Sequence, residues 1–137
     1  MKKICCFIAT ILIFLMLGCQ TSDAKLGRKM IEKYSDEQSY VALSGEIIEV
    51  SDNNVVIRCK NLNSYISYED NICTYLIFAD RMLDLNVGDM VDYVTVPFHF
   101  YNGHHLPIVE LKRNGETLLT FEEGRQNLLD WVNKRFM

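Results

Sequence analysis

The 137-residue chain is 49% hydrophobic and 23% charged, with two prolines, seven glycines and a formal net charge of −4. Those proportions exclude a disordered, collagen-like or disulfide-dense chain and suit one small globular unit. The longest apolar run, residues 4–18, falls short of the ~20 residues that span a membrane, so a polytopic membrane protein is excluded as well.

That run is the first element of the chain. Met1-Lys2-Lys3 gives a positive start and Ile4–Leu17 an apolar stretch, the two parts of a secretory signal. Gly18 and Cys19 follow, and then the polar residues Gln20-Thr21-Ser22-Asp23. Met16-Leu17-Gly18-Cys19 resembles the lipobox of bacterial lipoproteins. The resemblance implies cleavage after Gly18, a diacylglycerol on the Cys19 thiol, and a chain anchored to a bacterial cell membrane, outside the cytoplasm. Two acyl chains at ~0.8 kcal/mol per buried methylene supply on the order of 20 kcal/mol, enough for stable anchoring. The expected division is a signal at 1–18, a tether with a short helix at 19–39, a β-barrel at 40–120 and a C-terminal helix at 121–137.

Without the signal, twelve Lys+Arg face eighteen Asp+Glu. Such an acidic chain gains no counterion-release drive toward nucleic acid, so no nucleic-acid partner is expected. Cys5 and Cys6 leave with the signal and Cys19 carries the lipid, so Cys59 and Cys73 are the remaining thiols. They flank a polar connection between two apolar runs, where symmetric hairpin pairing would set them opposite one another. They read equally as a disulfide of an exported protein and as two reduced, buried cysteines.

Along the rest of the chain, Ala24–Tyr34 spaces Leu26, Met30, Ile31 and Tyr34 as an amphipathic helix. From Tyr40 the period becomes that of strands. Tyr40–Val50 is the first, with Gly45 as its bend or bulge point. Ser51–Asn54 is turn chemistry, Val55–Lys60 the second strand, and Asn61–Asn71 a polar loop. Ile72–Ala79 is the third strand and Asp80–Leu85 fits one helical turn. The turn Asn86-Val87-Gly88-Asp89 then leads into a fourth strand, Met90–Pro97. Asn102-Gly103 is a type I′ hairpin signal before the fifth strand, Leu106–Lys112. Asn114-Gly115 turns into Glu116–Leu119, and Thr120 with Glu123 forms a capping box. The closing helix, Phe121–Phe136, carries Phe121, Leu128, Leu129, Val132 and Phe136 along one face.

The long glycine-containing first strand, the short link before strand four and the step Leu85-Asn86-Val87-Gly88-Asp89-Met90-Val91 resemble the OB-fold. The expected fold is therefore mainly β: a small five-stranded OB-like barrel with a C-terminal α-helix and a short N-terminal helix. The resemblance implies ligand binding on strands two and three and on the loops Ser51–Asn54 and Phe98–His105. Arg58, Tyr65, Tyr68, Phe98 and Tyr101 are the candidate surface residues, because amphipathic aromatics in polar loops anchor protein partners and small ligands.

His99, His104 and His105 fall in one hairpin, where His99 and His104 share a face. Two imidazoles could ligate zinc or copper, but no third ligand lies near them in sequence, and a polar hairpin tip is the plainer reading. No nucleophile elbow, P-loop, dinucleotide fingerprint or H-E-x-x-H is present, so neither catalysis nor a cofactor is expected. The reading of function is a non-enzymatic envelope lipoprotein that binds an envelope protein or a small ligand. The alternative is a metal-binding or metal-sensing protein using the His99/His104 hairpin.

Overall fold

A computed structural model describes residues 22–60, 71–97 and 105–137. Helix α1 occupies residues 22–35, and a 3-10 turn follows at Glu37–Ser39. The strands are β1 (Val41–Ser51), β2 (Asn54–Cys59), β3 (Ile72–Ile77), β4 (Met90–Thr95), β5 (His105–Arg113) and β6 (Glu116–Leu119). Helix α2, Phe121–Phe136, closes the chain.

Antiparallel pairing joins β3 to β2, β2 to β1, β1 to β4 and β4 to β5. A parallel pairing of β3 with β5, Thr74↔His105 through Ile77↔Ile108, then closes the sheet into a five-stranded barrel. The circuit β1-β2-β3-β5-β4-β1 is consistent with the OB-fold, and closure removes the edges that an open sheet would expose. The remaining strand, β6, pairs with β5 at Leu111↔Leu119 and Arg113↔Glu116, beyond the stretch of β5 that β3 uses.

Alternation along the strands fills the barrel. Leu43, Ile47, Val55, Ile57, Tyr75, Tyr93 and Leu111 point inward and are at most 3% exposed. A second cluster lies outside the barrel wall, where Val96 and Val109 meet Met30 and Tyr34 of α1 and Leu128, Val132 and Phe136 of α2. β5 is thus buried on both faces, which explains its nearly continuous apolar run of Leu106, Ile108, Val109 and Leu111.

The helices dock as their periodicity requires. Thr120 Oγ1 accepts from the Glu123 amide at 3.3 Å, capping α2. Gly124 faces the β5 backbone, and a Cβ there would run into the carbonyl of Val109. On α1, Gly27 lies against Phe136, where a Cβ would stand 2.6 Å from that side chain. Arg125 ties the two helices together, donating to Ser35 O and to Glu37 Oε1, each at 3.1 Å.

Two local expectations are corrected. Asp80–Leu85 makes no helical turn: Asp80 and Arg81 form a bend, and exposure then alternates, with Leu83 and Leu85 half-buried against the barrel core and Met82 and Asp84 exposed. Two leucines two residues apart share a face only in extended chain, and packing them against the barrel core outweighs local helix propensity. The bulge in β1 falls between Ile47 and Glu49, not at Gly45. Gly45 is instead a point of close approach, since a Cβ there would lie 2.5 Å from Arg58 O.

Candidate functional site

The β1–β2 turn is short, because Ser51 pairs with Asn54 and leaves only Asp52 and Asn53 in the loop. Asp52 takes a left-handed φ of 32°, which aspartate tolerates better than most side chains. Asn53 O accepts from the Ile77 amide at 2.8 Å, which fixes the turn beside the end of β3. Helix α2 crosses the same place. Asn127 Nδ2 donates to Phe78 O at 3.1 Å, so the helix is fastened to the chain just as β3 ends.

Between these three elements lies a cleft of about 420 Å³. Phe78 and Trp131 form its aromatic wall, with ring centroids 5.9 Å apart in an edge-to-face arrangement. Asn53 and Asn127 bring amides to it, and Asp80 and Asp130 bring carboxylates. Asp130 accepts from Gln126 Nε2 at 2.8 Å. Asp80 accepts from Arg81 Nη1 at 3.1 Å, and Arg81 continues to Glu123 and to Leu118 O. A shallower hollow of about 230 Å³ shares Asn53, Ala79 and Asp80 with the cleft and extends it to Arg81 and Met82.

This combination has a definite chemistry. An aromatic wall supplies a flat apolar contact, while carboxylates and amides accept hydrogen bonds and so orient a donor-rich ligand. The open Asp130 and the arginine-neutralised Asp80 favour hydroxyl or amine donors over anions.

The residues expected from sequence are distributed unevenly. Arg58 stands on the outer face of β2, half-exposed, with Nη1 3.9 Å from Glu46 Oε2 across the register pair Glu46↔Arg58. Such an exposed pair contributes little energy. The outer face of β3 is partly occupied, because Leu76 packs into the helical cluster. Tyr65, Tyr68, Phe98, His99, Tyr101, His104 and Cys19 lie outside the described residues. Among the described residues, no three of His, Cys, Asp and Glu gather as metal ligands. Sequence reasoning did not bring Trp131, Asn127 and Phe78 together; only the docking of α2 on the end of β3 does so.

Cys59 and Cys73 are not joined by a disulfide, and each lies 4% exposed on the inward face of the barrel. They are not directly opposed. Cys73 pairs with Ile57, and Cys59 pairs with Gly45 of β1, so the register is offset by two residues from symmetric hairpin pairing. Burial pushes the Cys73 thiol up to about 11, and its Sγ donates to Thr74 O at 3.6 Å. A thiol held in its protonated form is not a nucleophile at neutral pH.

No family model matches the chain, and neither a curated protein nor a solved structure shows a significant similarity to it.

Proposed function

We propose that this chain is a lipid-anchored bacterial envelope lipoprotein whose OB-like barrel is a non-enzymatic binding module for an envelope protein or a small ligand. The anchor rests on Met16-Leu17-Gly18-Cys19 behind an apolar run with a dibasic start. One observation carries the binding role. The cleft of Asn53, Phe78, Asp80, Asn127, Asp130 and Trp131 sits at the β1–β2 turn and the end of β3, where barrels of this connectivity present their ligand-binding loops.

The chain has a single tryptophan, so its indole emission reports on the cleft alone. Photo-crosslinkers placed at Asn53 and at Asp130 in intact cells should capture the same species, and one at the exposed Glu116 should not. Equal capture from all three positions would refute the cleft as the binding position. Intact mass of the mature N-terminus tests the anchor, and an unmodified Cys19 would refute it.

A further inference from the structure

We infer that α1 is an electrostatic foot, a helix whose outer face rests on an anionic phospholipid surface and sets the orientation of the anchored barrel. The inference rests on the anchored reading above, and its basis is the distribution of charge around α1. Gly27, Met30 and Tyr34 are buried against α2 and the barrel wall, with Leu26 and Ile31 half-buried beside them. That fixes the helix's rotation. At 100° per residue, Lys25, Arg28 and Lys29 fall on the opposite side with Glu32 among them, Lys33 lies at its flank, and all four cations are exposed.

Elsewhere five of the eight cations, Arg58, Arg81, Lys112, Arg113 and Arg125, stand within ion-pair distance of a carboxylate, whereas none of the four cations of α1 does so among the described residues. Residues 36–137 carry eight Lys+Arg against sixteen Asp+Glu, while α1 carries four cations against Asp23 and Glu32. A negatively charged surface therefore attracts α1 and repels the body of the domain. That attraction fades within roughly a Debye length, ~8 Å at physiological salt.

Chain length meets that limit. Only two residues, Gln20 and Thr21, separate Cys19 from the first described residue of α1, so acylation would hold the helix at the headgroups. A lipid anchor with an adjoining polybasic patch is a two-signal membrane attachment, here with the second signal fixed rigidly to the fold. Arg125 and the close Gly27–Phe136 contact supply the rigidity, so seating α1 also fixes which side of the barrel faces away from the membrane.

Amine-reactive footprinting of the full-length protein, purified from bacterial membranes, tests this. The protein is reconstituted into vesicles of phosphatidylcholine alone or of phosphatidylcholine enriched in phosphatidylglycerol. Lys25, Lys29 and Lys33 should label roughly fivefold less on the anionic vesicles. Lys60 and Lys134 should label equally on both. High salt should restore labelling. The double variant Lys29→Gln/Lys33→Gln, at exposed positions, should lose protection of Lys25 while keeping its melting temperature. Equal labelling of α1 on the two vesicle types, with Cys19 acylated by intact mass, overturns the inference and leaves the anchor standing. Protection of α1 with an unmodified Cys19 overturns the anchor and leaves the basic face as the sole membrane contact. Equal labelling with an unmodified Cys19 overturns both.

Discussion

The phenol oxygens of Tyr75 and Tyr93 lie 3.0 Å apart inside the barrel, where neither side chain is more than 1% exposed. One hydroxyl donates and the other accepts, and their rings meet edge to face at 5.0 Å. Removing one hydroxyl leaves the other only a neighbouring thiol, Cys73 beside Tyr75 or Cys59 beside Tyr93, a weaker partner than a phenol. Tyr75→Phe and Tyr93→Phe should each cost about 1–3 kcal/mol, and the double variant less than the sum. A double-mutant cycle by urea unfolding measures this, and simple additivity would show that the two hydroxyls do not interact.

Gly124 makes the opposite point about propensity. In an exposed helix, Gly→Ala is worth up to about 1 kcal/mol of stabilisation. Here the added methyl would enter the backbone carbonyl of Val109, a group held by the sheet and unable to rotate away. Gly124→Ala should therefore destabilise by about 2 kcal/mol or more, through separation of α2 from β5. Thermal unfolding checks the sign. A rise in melting temperature would show that α2 does not pack this closely.

Much of this architecture was legible because it is local. The period-2 strands, the Ser51–Asn54 turn, the Asn114-Gly115 turn and the capped helix Phe121–Phe136 each carry their own signal within a dozen residues. What escaped is non-local. The parallel join of β3 to β5 links residues some thirty positions apart, as in Thr74↔His105, and leaves no pattern in either segment. Gly124 reads as a weak helix residue until the helix is laid on Val109. Trp131 likewise reads as one more apolar residue until Phe78 and Asn127 meet it. The non-helical path of Asp80–Leu85 is decided by the packing of Leu83 and Leu85 against the barrel core.

At the entrance to β4, Asp89 accepts from the Asn86 amide and from Arg113 Nη1, both at 2.9 Å. The amide, and after it the guanidinium, holds the Asp89 carboxyl below the usual aspartate range. A folded-state pKa below the unfolded value gives stability that is full above about pH 4 and is lost as pH falls through the folded pKa. Asp89→Asn keeps an acceptor for the amide but removes the charge, so it should cost about 1 kcal/mol at pH 7. Asp89→Ala should cost more. The gap between wild type and Asp89→Asn should close in acid. A gap that stays constant to pH 2 would show that the carboxylate's charge plays no part.

The alkaline limb follows from groups that are buried neutral. Burial pushes the Cys73 thiol up to about 11 and the Tyr40 phenol up to about 12. Tyr34, Tyr75 and Tyr93 are raised further still by desolvation. A folded-state pKa above the unfolded value gives stability that is complete below the unfolded pKa and declines as pH rises toward the folded one. For Cys73 that window opens near pH 9, and for the tyrosines near pH 10. The unfolded chain releases these protons first, and each such group adds about 1.4 kcal/mol of lost stability per pH unit within its window. Urea unfolding from pH 8 to 11 should therefore show a decline that steepens past pH 10. Cys73→Ser should delay its onset. Thiol alkylation of the native protein at pH 8 should be slow at Cys73 and become rapid only on unfolding. Prompt labelling of Cys73 in the folded protein would place that thiol at the surface and remove the burial from which its share of the alkaline limb derives.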